Sequence, residues 1–203
     1  MAVQSGVYRG VSAADRAAER RNRLLEAALT VWADPETRTT MTAICAEAGL
    51  SERYFYESFS GLDAALEAVL DHIATEIEEI SRSAADGAGP DPEERVRTSV
   101  SAFVQLLVDD PRKGRVALIE AVAVPALRQR RTQILRHLAH ESALQAREHF
   151  GAAGRGPSAD ETAGLFFIGG MAELVTAWLD GTLDIPADEI VDAAVRVLLG
   201  LYR

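Results

Sequence analysis

The chain has 203 residues, 48% of them apolar and 26% charged, which suits one or two compact cored domains and excludes a disordered or collagen-like polymer. Its net charge of -10 argues against a protein that coats nucleic acid indiscriminately. The charge is uneven, however: residues 1–23 carry five arginines against two acids, whereas residues 61–203 carry 14 basic and 23 acidic side chains. Salt screens charge beyond about 10 Å, so one basic end of an acidic protein can still meet a phosphate backbone.

The longest uncharged runs, 98–108 and 162–172, have eleven residues, against the roughly 20 apolar residues of a membrane-spanning helix. No apolar stretch with a basic flank opens the chain, and Cys45 is the single cysteine. The expectation is a soluble cytoplasmic protein, without membrane association and without disulfides.

Taken in chain order, the periodicity predicts helices and no strand. Ser12 to Asp15 reads as an N-cap signal, followed by Leu25, Ala28, Leu29 and Trp32 at helical spacing, and Asp34-Pro35 ends that helix. Two short helices follow, Met41–Ala48 and one from Glu52. A long helix from Leu62 carries Leu66, Val69, Leu70, Ile73, Ile77 and Ile80 on one face and breaks near Asp86–Asp91. Asp91-Pro92 opens a helix with Val96, Val100, Phe103, Val104 and Leu107 as its buried stripe, and Asp110-Pro111 opens another. Pro125 divides the stretch to Phe150, and residues 151–157 form a loop. Ser158 to Glu161 reads as a capping box, Gly181 stops the helix that follows, and Pro186 opens the last one. The fold expected is all-α with about nine helices.

The most informative stretch is 39–70. Thr40 suits the N-cap of the first short helix, Gly49 can take the left-handed conformation that stops it, and Ser51 caps the second. Ile44, Cys45, Ala48, Leu50, Phe55 and Phe59 are spaced to pack inward. Arg53, Tyr54, Glu57 and Ser58 are left outside, with Tyr56 at the edge. Two short helices joined by a tight glycine turn form a helix-turn-helix, whose second helix can enter a major groove of DNA. Arginine can read guanine or neutralise phosphate, and tyrosine offers a phenolic donor and a flat face.

The run Ile44-Cys-Ala-Glu-Ala-Gly-Leu-Ser51, together with Tyr54-Phe55-Tyr56-Glu-Ser-Phe59 and the leucine-rich helix behind it, resembles the DNA-binding domain of TetR-family transcriptional regulators, in the variant common among actinobacteria. The resemblance spans roughly residues 15–75, and Phe167–Gly181 is a weaker second match to the family's penultimate helix. It implies a helix-turn-helix DNA-binding domain over 1–61 and a helical ligand-sensing and dimerisation domain over 62–203. The family's usual lysine at the start of the fourth helix is replaced by Leu62.

Candidate DNA contacts are therefore Thr40, Thr42, Ser51, Glu52, Arg53, Tyr54, Tyr56, Glu57 and Ser58. Arg9, Arg16, Arg20 and Arg21 are candidates for the phosphate backbone, or alternatively a solvated charged face. His137, His140 and Glu141 do not complete a metal coordination sphere, and neither a metal nor a cofactor is expected.

For the second domain, Phe103, Leu107, Ile119, Phe167, Met171 and Trp178 are candidates to line an apolar effector cavity, with Glu120 and His137 among its polar anchors. On the helix after Ser158, a face of Phe166, Gly169, Gly170 and Ala177 permits close approach of another helix. Together with Ile190, Ala194, Val197, Leu198 and Leu201 it is the expected homodimer interface, or else an intrachain packing groove. The function expected is a homodimeric, ligand-responsive repressor that binds a palindromic operator in double-stranded DNA and is released by a small molecule. An activator of the same architecture and a helical protein-interaction adaptor are the alternatives. An enzyme needs a convergent acid, base or nucleophile constellation, and the sequence presents none.

Overall fold

The computed structural model describes residues 12–150 and 156–202; Arg9 and most of the loop expected at 151–157 lie outside them. The described residues form an all-α protein whose helices fall into two compact units, Met1–Val69 and Leu70–Arg203. Counting the continuous runs from Pro111 to Ala123 and from Pro125 to Phe150 as one each, there are nine helical segments among the described residues. The division falls inside the long helix rather than at its start, because Ala65, Leu66 and Val69 are buried and are counted with the first unit.

The first unit comprises α1 (Ala13–Ala33), α2 (Met41–Ala48), α3 (Glu52–Ser58) and the opening turns of α4 (Leu62–Gly87). Ser12 caps α1 through a reciprocal box with Asp15, at 3.0 and 3.1 Å. Of the stripe expected on α1, Ala28, Leu29 and Trp32 are buried. Leu25 is only half-buried and Leu24 takes its place, with Ala27, Val31 and Ala33 buried besides.

In the second unit, α5 (Pro92–Asp109) and α10 (Ala187–Tyr202) pack together, and α9 (Pro157–Leu179) packs on both α10 and α8 (Arg128–Phe150). Val100, Val104 and Leu107 of α5 meet Phe167, Met171 and Val175 of α9 and Ile190, Val195 and Leu198 of α10 in one core. At Gly164 α9 lies tight against α8: a Cβ there would run into the Ala139 carbonyl oxygen. Between α5 and α8 the chain winds through α6 (Pro111–Gly114), a π-helical turn (Arg115–Glu120), α7 (Ala121–Ala123) and a 3-10 turn started by Pro125.

Polar side-chain contacts of one constant spacing join α4 to α8. Asp71 meets Arg130 at 2.6 Å, Glu78 meets His137 at 2.9 Å and Glu141 lies 4.0 Å from Arg82. Each pair is separated by 59 residues, so the two helices run side by side in the same direction.

Two expectations for α9 require correction. Its N-cap is Gly156, one residue before Pro157, so Ser158 is already helical and closes no capping box. Glu161 pairs instead with His140 at 3.1 Å. By length and composition α9 is also apolar enough to cross a membrane, which counting uncharged runs conceals because Glu173 interrupts the apolar stretch. It contributes Ala163, Phe167, Met171 and Val175 to the core of the unit, while Leu165 and Phe166 on its other side are exposed.

Candidate nucleic-acid interface

The helix-turn-helix is built from short-range chemistry. The Thr40 hydroxyl accepts from the Ala43 N–H at 3.1 Å and starts α2. Gly49 stops it at φ 60°, ψ 37°, a left-handed conformation that favours glycine. In that turn the N–H of Leu50 donates to the Cys45 carbonyl at 3.0 Å and that of Gly49 to Ala46 at 3.1 Å. Ser51 occupies the N-cap position of α3, although its side chain makes no capping bond.

Burial divides α3 as helical spacing requires. Phe55 is fully buried and Phe59 nearly so, their rings 5.5 Å apart, with Ile44, Cys45 and Ala48 behind them. Burial pushes the Cys45 thiol above its ordinary pKa, with the Glu52 carboxylate adding to the effect. Such a thiol is held protonated and is a poor nucleophile.

On the open side, Arg53 is 84% exposed by side chain and Tyr56 60% exposed as a residue, and Thr42, Ser51, Glu52 and Glu57 are exposed with them. The two tyrosines exchange the places expected for them. Tyr56 is the outward one, whereas Tyr54 is half-buried beneath the Arg20 guanidinium, 4.5 Å from its ring centre. The acids on this surface are engaged within the protein. Glu57 bonds Arg53 at 3.0 Å and lies 3.9 Å from Arg20, and Glu52 accepts from the Thr42 hydroxyl at 3.4 Å. The Ser58 hydroxyl donates to the Tyr54 carbonyl at 3.0 Å, so it too is spent locally.

The arginines of α1 were expected to face phosphate, but their visible contacts hold the domain together. Arg21 donates to the Ser58 carbonyl at 2.8 Å and lies over the Phe59 ring at 4.3 Å. Arg23 donates to the Ala48 carbonyl at 2.6 Å. Each arginine thus satisfies a carbonyl at the C-terminal end of a helix, where the partial charge is negative. Arg20 is shared between Tyr54 and Glu57, and Arg16 is half-buried in the first turns of α1.

Sequence reasoning passed over Arg38, which is exposed two residues before the Thr40 cap. The available signal was its position, a cation at the mouth of the helix-turn-helix. Electrostatically the domain is not a basic block: residues 1–69 hold seven arginines against ten acidic residues. Its open face offers Arg53, Tyr56 and Arg38 as hydrogen-bond donors, with Thr42 added on exchange of its 3.4 Å bond to Glu52. That set can meet the edges of bases and phosphate oxygens without strong non-specific attraction.

In the second unit a cavity of about 200 Å³ lies among α4, α5, α8, α9 and the π-helical turn. Of the residues expected to line it, Phe103, Phe167 and Met171 do so. The others have different work. Leu107 is buried in the helical core, Trp178 donates to the Ile185 carbonyl at 3.1 Å, and Glu120 pairs with Arg115 at 2.8 Å. Ile119 lies outside the lining, and His137 borders a separate polar groove with Asp71 and Arg130. The lining not named from sequence comes mainly from α4 and α8, including Ile73, Ile77, Arg131, Ile134 and Leu138, because an apolar face on a helix does not show whether a core or a cavity lies against it.

The expected dimer residues also divide. Phe166 is 71% exposed and Val197 53% exposed, with Gly169 and Gly170 open and Ala177 and Leu201 half-buried. Ile190, Ala194 and Leu198 are buried within the protomer and unavailable to a partner. They point to α5 and α9, because α10 packs its Ile190–Leu198 face inward and turns Val197 and Gly200 outward.

No protein-family model and no curated protein matches the chain. Solved structures do match its fold. The chain is similar to the fatty acid degradation regulator FadR from Bacillus halodurans, at 19% identity and a TM-score of 0.77, over 89% of this chain and 95% of that one. It is also similar to a TetR-family transcriptional regulator from Streptomyces coelicolor, at 18% identity and TM-score 0.71, over 91% and 80% of the two chains. A third, a TetR-family regulator from Marinobacter aquaeolei VT8, matches at 19% identity and TM-score 0.62, over 93% and 97%. The all-α fold is therefore the one these regulators share.

Proposed function

We propose that the chain is a TetR-family transcriptional regulator of the actinobacterial-type variant, acting as a homodimeric repressor that a small molecule releases from DNA. The observation that carries this reading is α3, a short helix anchored by Phe55 and Phe59 that turns Arg53 and Tyr56 outward behind a Gly49 turn. The shared fold supports it. In this reading the protein is a regulator and not an enzyme, and it works in the cytoplasm, where its DNA lies.

Two copies related by a twofold axis present two such helices to successive major-groove faces of a palindromic operator. Arg53 and Tyr56 read bases; Thr42 and Arg38 hold phosphate. Phe166, Gly169, Gly170 and Val197 form the exposed part of the protomer contact, since a bulky apolar side chain beside two glycines suits close helix packing. The helix α4 belongs at its start to the DNA-binding unit and lines the effector cavity from Leu70 onward. An effector that prefers one position of α4 therefore changes operator affinity, by about 5- to 150-fold for a coupling of roughly 1–3 kcal/mol.

Titrating the full-length protein against duplex DNA from upstream of its own coding sequence tests the proposal. A retarded dimer complex lost in Arg53→Ala supports it. Equal, weak binding to every duplex, unchanged in that variant, rejects it.

A further inference from the structure

The cavity in the second unit is apolar on most of its surface, with Ile73, Ile77, Phe103, Ile134, Leu138 and Met171 among its walls. Four charged residues also line it: Glu78, Arg95, Arg131 and Glu141. Three of them have partners on the protein. Glu78 lies 2.9 Å from His137, Glu141 lies 4.0 Å from Arg82, and Arg95 donates to the Gly89 carbonyl at 3.1 Å.

Arg131 differs. Its Nε is buried, and no hydrogen-bond partner meets it among the described residues. A buried guanidinium N–H left without an acceptor is costly, and Arg131, half-buried as a residue, brings its charge to a mostly apolar wall. A carboxylate answers both, because its two oxygens match the guanidinium fork and its charge cancels the cation. An amine ligand would set a second cation beside Arg131, and a ligand with no acceptor would leave its buried Nε unpaired.

Resting on the ligand-sensing reading above, we infer that the effector is a compact apolar monocarboxylate whose anionic head pairs with Arg131. The size follows from the volume. At about 200 Å³ the cavity is somewhat larger than the ~150 Å³ that accepts benzene, which allows on the order of ten non-hydrogen atoms. A straight eight-carbon acid is of that size. Its tail lies along Ile73, Ile77 and Ile134 and its head meets the buried edge of Arg131.

The test is calorimetric titration of the full-length protein, without DNA, using octanoate, 1-octanol and octylamine. The tail is constant and only the head changes. The wild-type protein is expected to bind octanoate roughly ten-fold or more tightly than 1-octanol, and octylamine least. In Arg131→Gln, octanoate is expected to fall to the level of 1-octanol while the affinity for 1-octanol stays within about two-fold. A thermal melt of the variant shows that it folds, and the wild-type series stands without it. Equal or tighter binding of 1-octanol or octylamine overturns the inference, as does an octanoate preference that survives in Arg131→Gln or no binding of any probe. Because no DNA is present, failure here is distinct from failure of operator binding.

Discussion

Arg21 reaches from α1 to the last turn of α3, donating to the Ser58 carbonyl at 2.8 Å with its guanidinium 4.3 Å above the Phe59 ring. One side chain thereby fixes both the end and the buried edge of the helix that faces outward. Arg21→Leu is expected to destabilise the protein by about 1.5 kcal/mol, the lower end of the range for a charge-assisted bond because the site is only half-buried. It should leave the salt dependence of DNA binding unchanged. Chemical denaturation together with salt titrations of DNA affinity checks this, and a slope lowered by a full ion would return Arg21 to the phosphate-binding set.

Arg53 and Tyr56 support no core contact that their removal would empty. Arg53→Ala and Tyr56→Phe are each expected to weaken operator binding by about ten-fold or more, with the midpoint of thermal unfolding unmoved. Fluorescence anisotropy on operator DNA and a thermal melt of the same samples separate the two quantities.

In the proposed reading, Leu62 at the start of α4 replaces the lysine that the resembled family carries there. Leu62→Lys is expected to tighten binding and to steepen the plot of affinity against salt by up to about one ion per subunit. An unaltered slope would place the backbone contacts elsewhere.

The helix-turn-helix was legible in the sequence because each of its parts is local. A threonine cap, a left-handed glycine and two phenylalanines one turn apart sit within 20 residues and need no distant partner. What the sequence left obscure depended on long-range contacts. Whether Arg20 and Arg21 point at DNA or at Tyr54 and Ser58 depends on a helix 30 or more residues away. Trp178 was expected at the cavity for the same reason: it turns to the Ile185 carbonyl, and much of the wall beside Phe103, Phe167 and Met171 comes from α4 and α8. Side-chain periodicity identifies a buried face but not what buries it.

The Cys45 thiol, raised by burial, carries a consequence for pH. Between the unfolded thiol's value of about 8.5 and the higher folded one, the unfolded state binds fewer protons. Stability contributed by the protonated thiol is therefore fully present below about pH 8.5 and falls as pH rises above it. Native protein is expected to react with a thiol reagent at pH 8 only at the rate of unfolding, and Cys45→Ala to remove that part of the alkaline loss. Reaction at the speed of a free thiol would contradict the buried placement.

Phe166 tests the protomer contact. Phe166→Glu places a charge on an exposed apolar face and is expected to shift the protein from dimer to monomer in sedimentation equilibrium without loss of helical content. A dimer of undiminished affinity would move the interface off α9.

The central claim is that α3 is offered, in two symmetry-related copies, to the groove of duplex DNA. Selection of tight binders from a random-sequence duplex library by the full-length protein addresses it most directly. Enrichment of two inverted half-sites at a fixed spacing, lost when Arg53→Ala is used for the selection, is the expected result. A pool with no enriched sequence, or an enriched site without twofold symmetry that the variant still selects, would contradict it.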